Sequence, residues 1–161
     1  MFARHFIDSL DFARKGKELR GEIPIAGMER LQDVLAKPDG KVSYVLRGFR
    51  DEYGNLTLEL MLAGSCQLLC QRCLQSMDYP IKQVSRLVLA DEQPESELSA
   101  DDFDSIPPDA HLDVVALVEE EILLSLPFAP RHEPGACLAD TANLERGAEN
   151  PFAVLRKLKD K

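Results

Sequence analysis

Apolar and polar residues alternate most clearly in the middle of the chain. From Lys41 to Arg50, Val42, Tyr44 and Leu46 fall on one face of an extended segment. Asp51 to Asn55, with Gly54, reads as a turn. Leu56, Leu58, Leu60 and Leu62 are then in phase along a second strand that runs on toward Cys70. Tyr79 to Leu89 reads as the returning strand. Three strands with short connections predict an antiparallel β-meander.

A helical period replaces the alternation from Asp113 to Leu126. Asp113 is placed to cap this helix and Pro127 to stop it. Val114, Val115, Val118 and Ile122 share one face at about 100° per residue. Glu121 falls on that face, whereas Glu119 and Glu120 are expected to point away. A carboxylate on an apolar face needs a partner or an edge position, and Arg72 and Arg131 are the candidate partners of Glu121.

Asp8 to Lys17 predicts a shorter helix, capped by Asp8 and stopped near Gly16. Glu22 to Ile25 is a short extended piece whose Pro24 suggests a sheet edge. Met28 to Leu35 has room for a helical turn or two. Asp91 to Ala110 is acidic, contains Pro94, Pro107 and Pro108, and is expected to be a mobile surface loop. Phe128 to Cys137 is irregular. These elements predict a single α+β domain over residues 1–137, an antiparallel β-meander packed with a few helices and carrying the acidic loop 91–110. A flexible C-terminal tail follows over residues 138–161. In that tail Asn150 and Pro151 are helix-start residues, and Phe152, Leu155 and Leu158 form an apolar stripe on a short basic helix.

Composition changes the picture in two ways. No apolar run reaches the ~18 residues of a membrane span or resembles a signal peptide, so a cytoplasmic chain with no membrane partner is expected. The net charge of −9 is also unevenly spread. Between Leu87 and Pro130 there are twelve acidic residues and no Lys or Arg. Such a chain is a poor candidate for broad binding to a phosphate backbone, which needs a basic face.

The sharpest chemical signal is Cys70-Gln71-Arg72-Cys73, a C-x-x-C between two strands, followed much later by His132 and Cys137. Structural disulfides are not expected in a reducing compartment. Three thiols and an imidazole suit a closed tetrahedral zinc site of structural kind, with Cys70, Cys73, His132 and Cys137 as ligands. The alternative is a set of reduced, unligated thiols in a packed loop. Cys66 can replace one ligand but is expected to pack in its strand. A thioredoxin-like redox role fits less well, because that motif opens a helix and this one leads into the extended Tyr79-Pro80 segment. No catalytic constellation is present: there is no Gly-rich phosphate loop, G-x-S-x-G or H-E-x-x-H. His5 and His111 read as surface residues.

Phe152, Leu155, Arg156, Lys157 and Lys159 are the candidate partner-binding residues, since a tethered amphipathic basic helix can dock in a groove or on RNA. The alternative is that this segment packs back on its own domain.

Three blocks of the chain, in order, resemble the YceD family of large-subunit ribosomal RNA accumulation proteins. Cys66 to Leu74 is similar to the family's C-x-R-C core, Leu112 to Pro127 to its acidic helix ending in Leu-Pro, and Asn150 to Leu155 to its closing Asn-Pro-Phe segment. The resemblance implies a non-enzymatic part in ribosome biogenesis, supporting synthesis, processing or stability of 23S ribosomal RNA. Its partners would be that RNA or a large-subunit ribosomal protein. Two further readings stay open. One is direct RNA binding through Arg14, Lys15, Lys17, Arg20, Arg156, Lys157 and Lys159. The other is a chaperone whose acidic stretch holds a basic ribosomal protein.

Overall fold

The computed structural model describes residues 5–90 and 104–137. The three predicted strands form its centre: β4 (Lys41–Arg50), β5 (Leu56–Leu69) and β6 (Ser76–Leu89). They pair antiparallel as a meander, with Tyr44 opposite Leu62 and Cys66 opposite Tyr79. Asp51 builds the β4–β5 turn, its carboxylate accepting from the backbone N–H groups of Tyr53 and Asn55.

Three further strands widen the sheet. β2 (Glu18–Pro24) adds antiparallel to β4 and ends at Pro24, an edge strand as Pro24 suggested. The short β3 (Leu35–Lys37) pairs with the far end of β5, beyond the reach of β4. β7 (Asp104–Ile106) pairs parallel to Leu87–Leu89 of β6. This last strand lies in the stretch read as loop. Its three residues carry no periodicity of their own, and the unpaired edge of β6 supplies the ladder. β7 reaches only that end of β6, so Pro80 sits where β6 is an edge and needs no backbone donor.

One face of the sheet carries the core. Val42, Tyr44, Leu46, Leu58, Leu60, Leu62, Cys66, Leu68, Ile81 and Leu87 are all buried on it. Helix α1 (Ser9–Arg14) and helix α2 (Val114–Ser125) bring Phe12, Val114, Val118 and Ile122 against that face. Both predicted caps form. Asp8 accepts from the Asp11 N–H, and Asp113 accepts from the N–H groups of Val115 and Ala116. Gly16 ends the α1 region with a φ of +60°. A small ladder of β1 (Phe6–Ile7) with β8 (Leu112–Asp113) ties the start of the chain to the start of α2. The helical turn expected over residues 28–35 is the 3-10 turn Arg30–Asp33, and a second 3-10 turn, Ile25–Gly27, precedes it.

The buried carboxylates correct two expectations. Glu119 does not point away: it is buried, and its Oε1 accepts from the backbone N–H groups of Arg30 at 2.6 Å and Leu31 at 3.2 Å. It caps the second 3-10 turn from across the core. Glu121 is buried as its helix position predicts, but it pairs with neither arginine. It accepts from the Ser85 hydroxyl and from the Gln83 amide at 3.2 Å, both on β6. Neutral donors satisfy it because β6 presents Gln83 and Ser85 directly under the helix.

Candidate metal centre

The site follows from the length of one hairpin. β4 pairs with β5 only as far as Gly64, whereas β5 and β6 continue to Leu69 and Ser76. The hairpin therefore runs past the end of β4, flanked there by β3, and its tip is the Cys70–Cys73 turn. The Cys70 N–H donates to the Gln75 carbonyl and the Leu74 N–H to the Cys70 carbonyl, both at 2.9 Å. Leu74 takes a φ of +59°, a left-handed conformation uncommon for a side chain of its size. This reversal folds the turn back so that both thiols face one side.

The segment after α2 meets that turn. The Gln71 N–H donates to the Pro130 carbonyl at 2.8 Å. A second turn, in which the Ala136 N–H donates to the Glu133 carbonyl at 3.0 Å, carries His132 on one side and Cys137 on the other. Cys70 Sγ lies 4.0 Å from Cys137 Sγ, and Cys73 Sγ lies 3.4 Å from His132 Nδ1. All four ligand atoms fall within 4.8 Å of one another. Cys70 and Cys137 are buried, Cys73 and His132 half-buried.

The geometry can be tested against a metal. Tetrahedral Zn–S bonds of about 2.3 Å and Zn–N bonds of about 2.05 Å place sulfurs about 3.8 Å apart and sulfur and nitrogen about 3.6 Å apart. The two short separations, 4.0 and 3.4 Å, are near those values. Burial raises the Cys70 thiol, but backbone N–H groups of Cys73, His132 and Arg72, with the Cys73 thiol, outweigh it and bring the thiol down to about 5. A thiolate held by N–H donors is the form that binds metal. The donor set is soft, with three sulfurs and one imidazole, and suits zinc rather than magnesium or calcium. Four protein ligands leave no position for water or substrate, so the chemistry the cluster offers is structural.

The remaining sequence candidates separate cleanly. Cys66 is buried in the β5 ladder, and burial pushes its thiol up to about 11. It stays in the core, as expected, and is not in the cluster. Three of the four N-terminal basic residues are paired: Lys15 and Lys17 with Asp11, and Arg20 with Glu18, which also takes Arg47 of β4. Hydrogen bonds from these partners hold the Asp11 and Glu18 carboxyls below their ordinary values. Phe152, Leu155, Arg156, Lys157 and Lys159 lie outside the described residues. Among the described residues, no helix is long and apolar enough to cross a membrane. The residue that sequence reasoning missed is Glu119. Its signal was present, since it lies four positions after Val115 and three before Ile122, both core residues.

The family described as large ribosomal RNA subunit accumulation protein YceD matches residues 58–159, from near the start of β5, across the four candidate ligands, to near the end of the chain. A protein of Haemophilus influenzae named Large ribosomal RNA subunit accumulation protein YceD is 23% identical over 171 aligned positions, covering 96% of this chain and 95% of that one. No solved structure matches. The match spans well over half of the chain, and the chain belongs to the YceD family of large ribosomal RNA subunit accumulation proteins.

Proposed function

We propose that this protein is a non-enzymatic, cytoplasmic factor that supports accumulation of 23S ribosomal RNA, its fold closed by one structural zinc at Cys70, Cys73, His132 and Cys137. The family match over residues 58–159 is the observation that carries the first part. The pairing within the N-terminal basic cluster favours action through a protein partner or a local contact over broad RNA binding, because Asp11 and Glu18 already engage three of its four cations, Lys15, Lys17 and Arg20. The soft, closed donor set carries the second part.

Cells depleted of the protein should lose large-subunit ribosomal RNA selectively, with the small-subunit RNA unchanged and precursor ends mapped to show the step. An unchanged ratio of the two RNAs refutes the role. Elemental analysis of the purified chain should return about one zinc per chain. That figure should fall to near zero in Cys73→Ser with Cys137→Ser, and a wild-type chain without metal refutes the site.

A further inference from the structure

A groove runs along α2, between that helix, the end of β6 and β7. It encloses about 830 Å³. Its floor includes the apolar Leu87, Ile106 and Leu117, and Leu124, 71% exposed, stands at its side. Its rim carries Asp104, Asp109 and Glu120, and among the described residues no Lys or Arg lines it. Among the described residues, the Glu120 carboxylate has one distant cation, Arg30 at 3.9 Å, with both side chains 58% exposed. An apolar floor under an acidic rim is complementary to an apolar stripe flanked by basic residues.

The chain owns such a segment. Residues 150–161 hold Phe152, Leu155 and Leu158 at helical spacing, with Arg156, Lys157, Lys159 and Lys161 against a single acid, Asp160. The segment is tethered to Cys137 through residues 138–151. Such a linker spans at most about 50 Å when extended, at ~3.3–3.6 Å per residue. The twelve residues of α2 cover about 18 Å at 1.5 Å per residue. The tether is therefore long enough to bring Phe152 to either end of the groove. A linker of this length holds its end at an effective concentration of about millimolar, so a modest apolar contact with charge complementarity is enough for occupancy.

We infer that the C-terminal segment around Phe152, Leu155 and Leu158 docks in its own chain's groove between α2 and β7, with Arg156, Lys157 and Lys159 against the acidic rim. The inference stands apart from the role in ribosomal RNA accumulation and from the zinc site. It is tested by 15N relaxation on the full chain. Amides 152–158 should show order parameters of about 0.85, like the sheet, and should fall below about 0.6 in the surface variant D104K with E120K. Adding R156E and K157E to that variant should restore the order by reversing both sides of the contact. Val34→Asp, which lies in a different hollow, should leave the tail ordered. Three results overturn the inference. One is a tail with low order parameters in the wild type. Another is order that survives D104K with E120K or is lost in Val34→Asp. The third is order that grows with protein concentration, which would place a second copy in the groove.

Discussion

Replacing Glu119 by Ala should be far more damaging than the same change at Glu120, its exposed neighbour. Glu119 accepts from two backbone N–H groups, at 2.6 Å from Arg30 and 3.2 Å from Leu31. Hydrogen bonds to a charged acceptor contribute about 1.5–3 kcal/mol each, and an unsatisfied buried donor costs about 1–3 kcal/mol. Arg30 is exposed, so water can replace its lost acceptor. Leu31 is fully buried, so its N–H stays unpaired and the full cost applies there. The loss should total about 2–4 kcal/mol. In urea, with a slope of about 1–3 kcal/mol per molar, the midpoint should drop by roughly 1–2 M. Glu120→Ala removes only a 3.9 Å ion pair between side chains that are each 58% exposed, and should stay within about 0.5 kcal/mol of the wild type. Glu119→Gln keeps a carbonyl acceptor without the charge and should fall between, near 1 kcal/mol. Equal midpoints for the two alanine variants would mean that α2 is rotated, with residue 119 turned to solvent.

Stripping zinc with a chelator should raise amide exchange across residues 128–137 while the β4–β5–β6 amides keep their protection, because Cys137 is the one buried residue in that segment; unchanged exchange in metal-free protein would refute a zinc clamp. Alkaline stability should respond to Cys66. Its thiol is raised by burial from 9.0 to about 11, so the stability it lends is whole below pH 9 and is lost as the pH rises toward 11. Tyr44, also raised by burial, acts in the same direction. Urea midpoints measured from pH 8 to 11 should therefore fall less steeply in Cys66→Val than in the wild type, and parallel curves would refute the assignment. Gly48→Ala would place a Cβ 2.6 Å from the Ala13 Cα and 2.7 Å from the Phe12 carbonyl oxygen, at the seat of α1 on β4. The displaced helix should cost about 1–3 kcal/mol in a denaturant melt, and an unshifted melt would show that α1 does not pack there.

What could be read from the sequence was what a segment decides for itself. The alternation at Val42, Tyr44 and Leu46, the caps at Asp8 and Asp113, and the stop at Pro127 are local chemistry, and each stands in the structure. The misses all depend on what lies across a gap in sequence. Asp104–Ile106 is a strand because Leu87–Leu89 offers an unpaired edge, which no property of an acidic, proline-flanked stretch announces. Glu119 turns inward because the Arg30–Asp33 turn presents backbone donors to one flank of α2, and Glu121, inward as its position predicts, takes Ser85 and Gln83 rather than an arginine because β6 presents them to the other. A helical wheel assumes one buried face, and α2 has structure on both sides of its apolar arc. The metal cluster lies between these cases. C-x-x-C announced half of it, but whether His132 and Cys137 could join depended on how far the hairpin reached. That distance was set by the register of β5 on β6, which places Cys66 opposite Tyr79 inside the ladder and leaves Cys70 and Cys73 beyond its last pair. The same four-residue shift that buries one thiol in the core delivers the next to the cluster, so ladder register decides which cysteines meet.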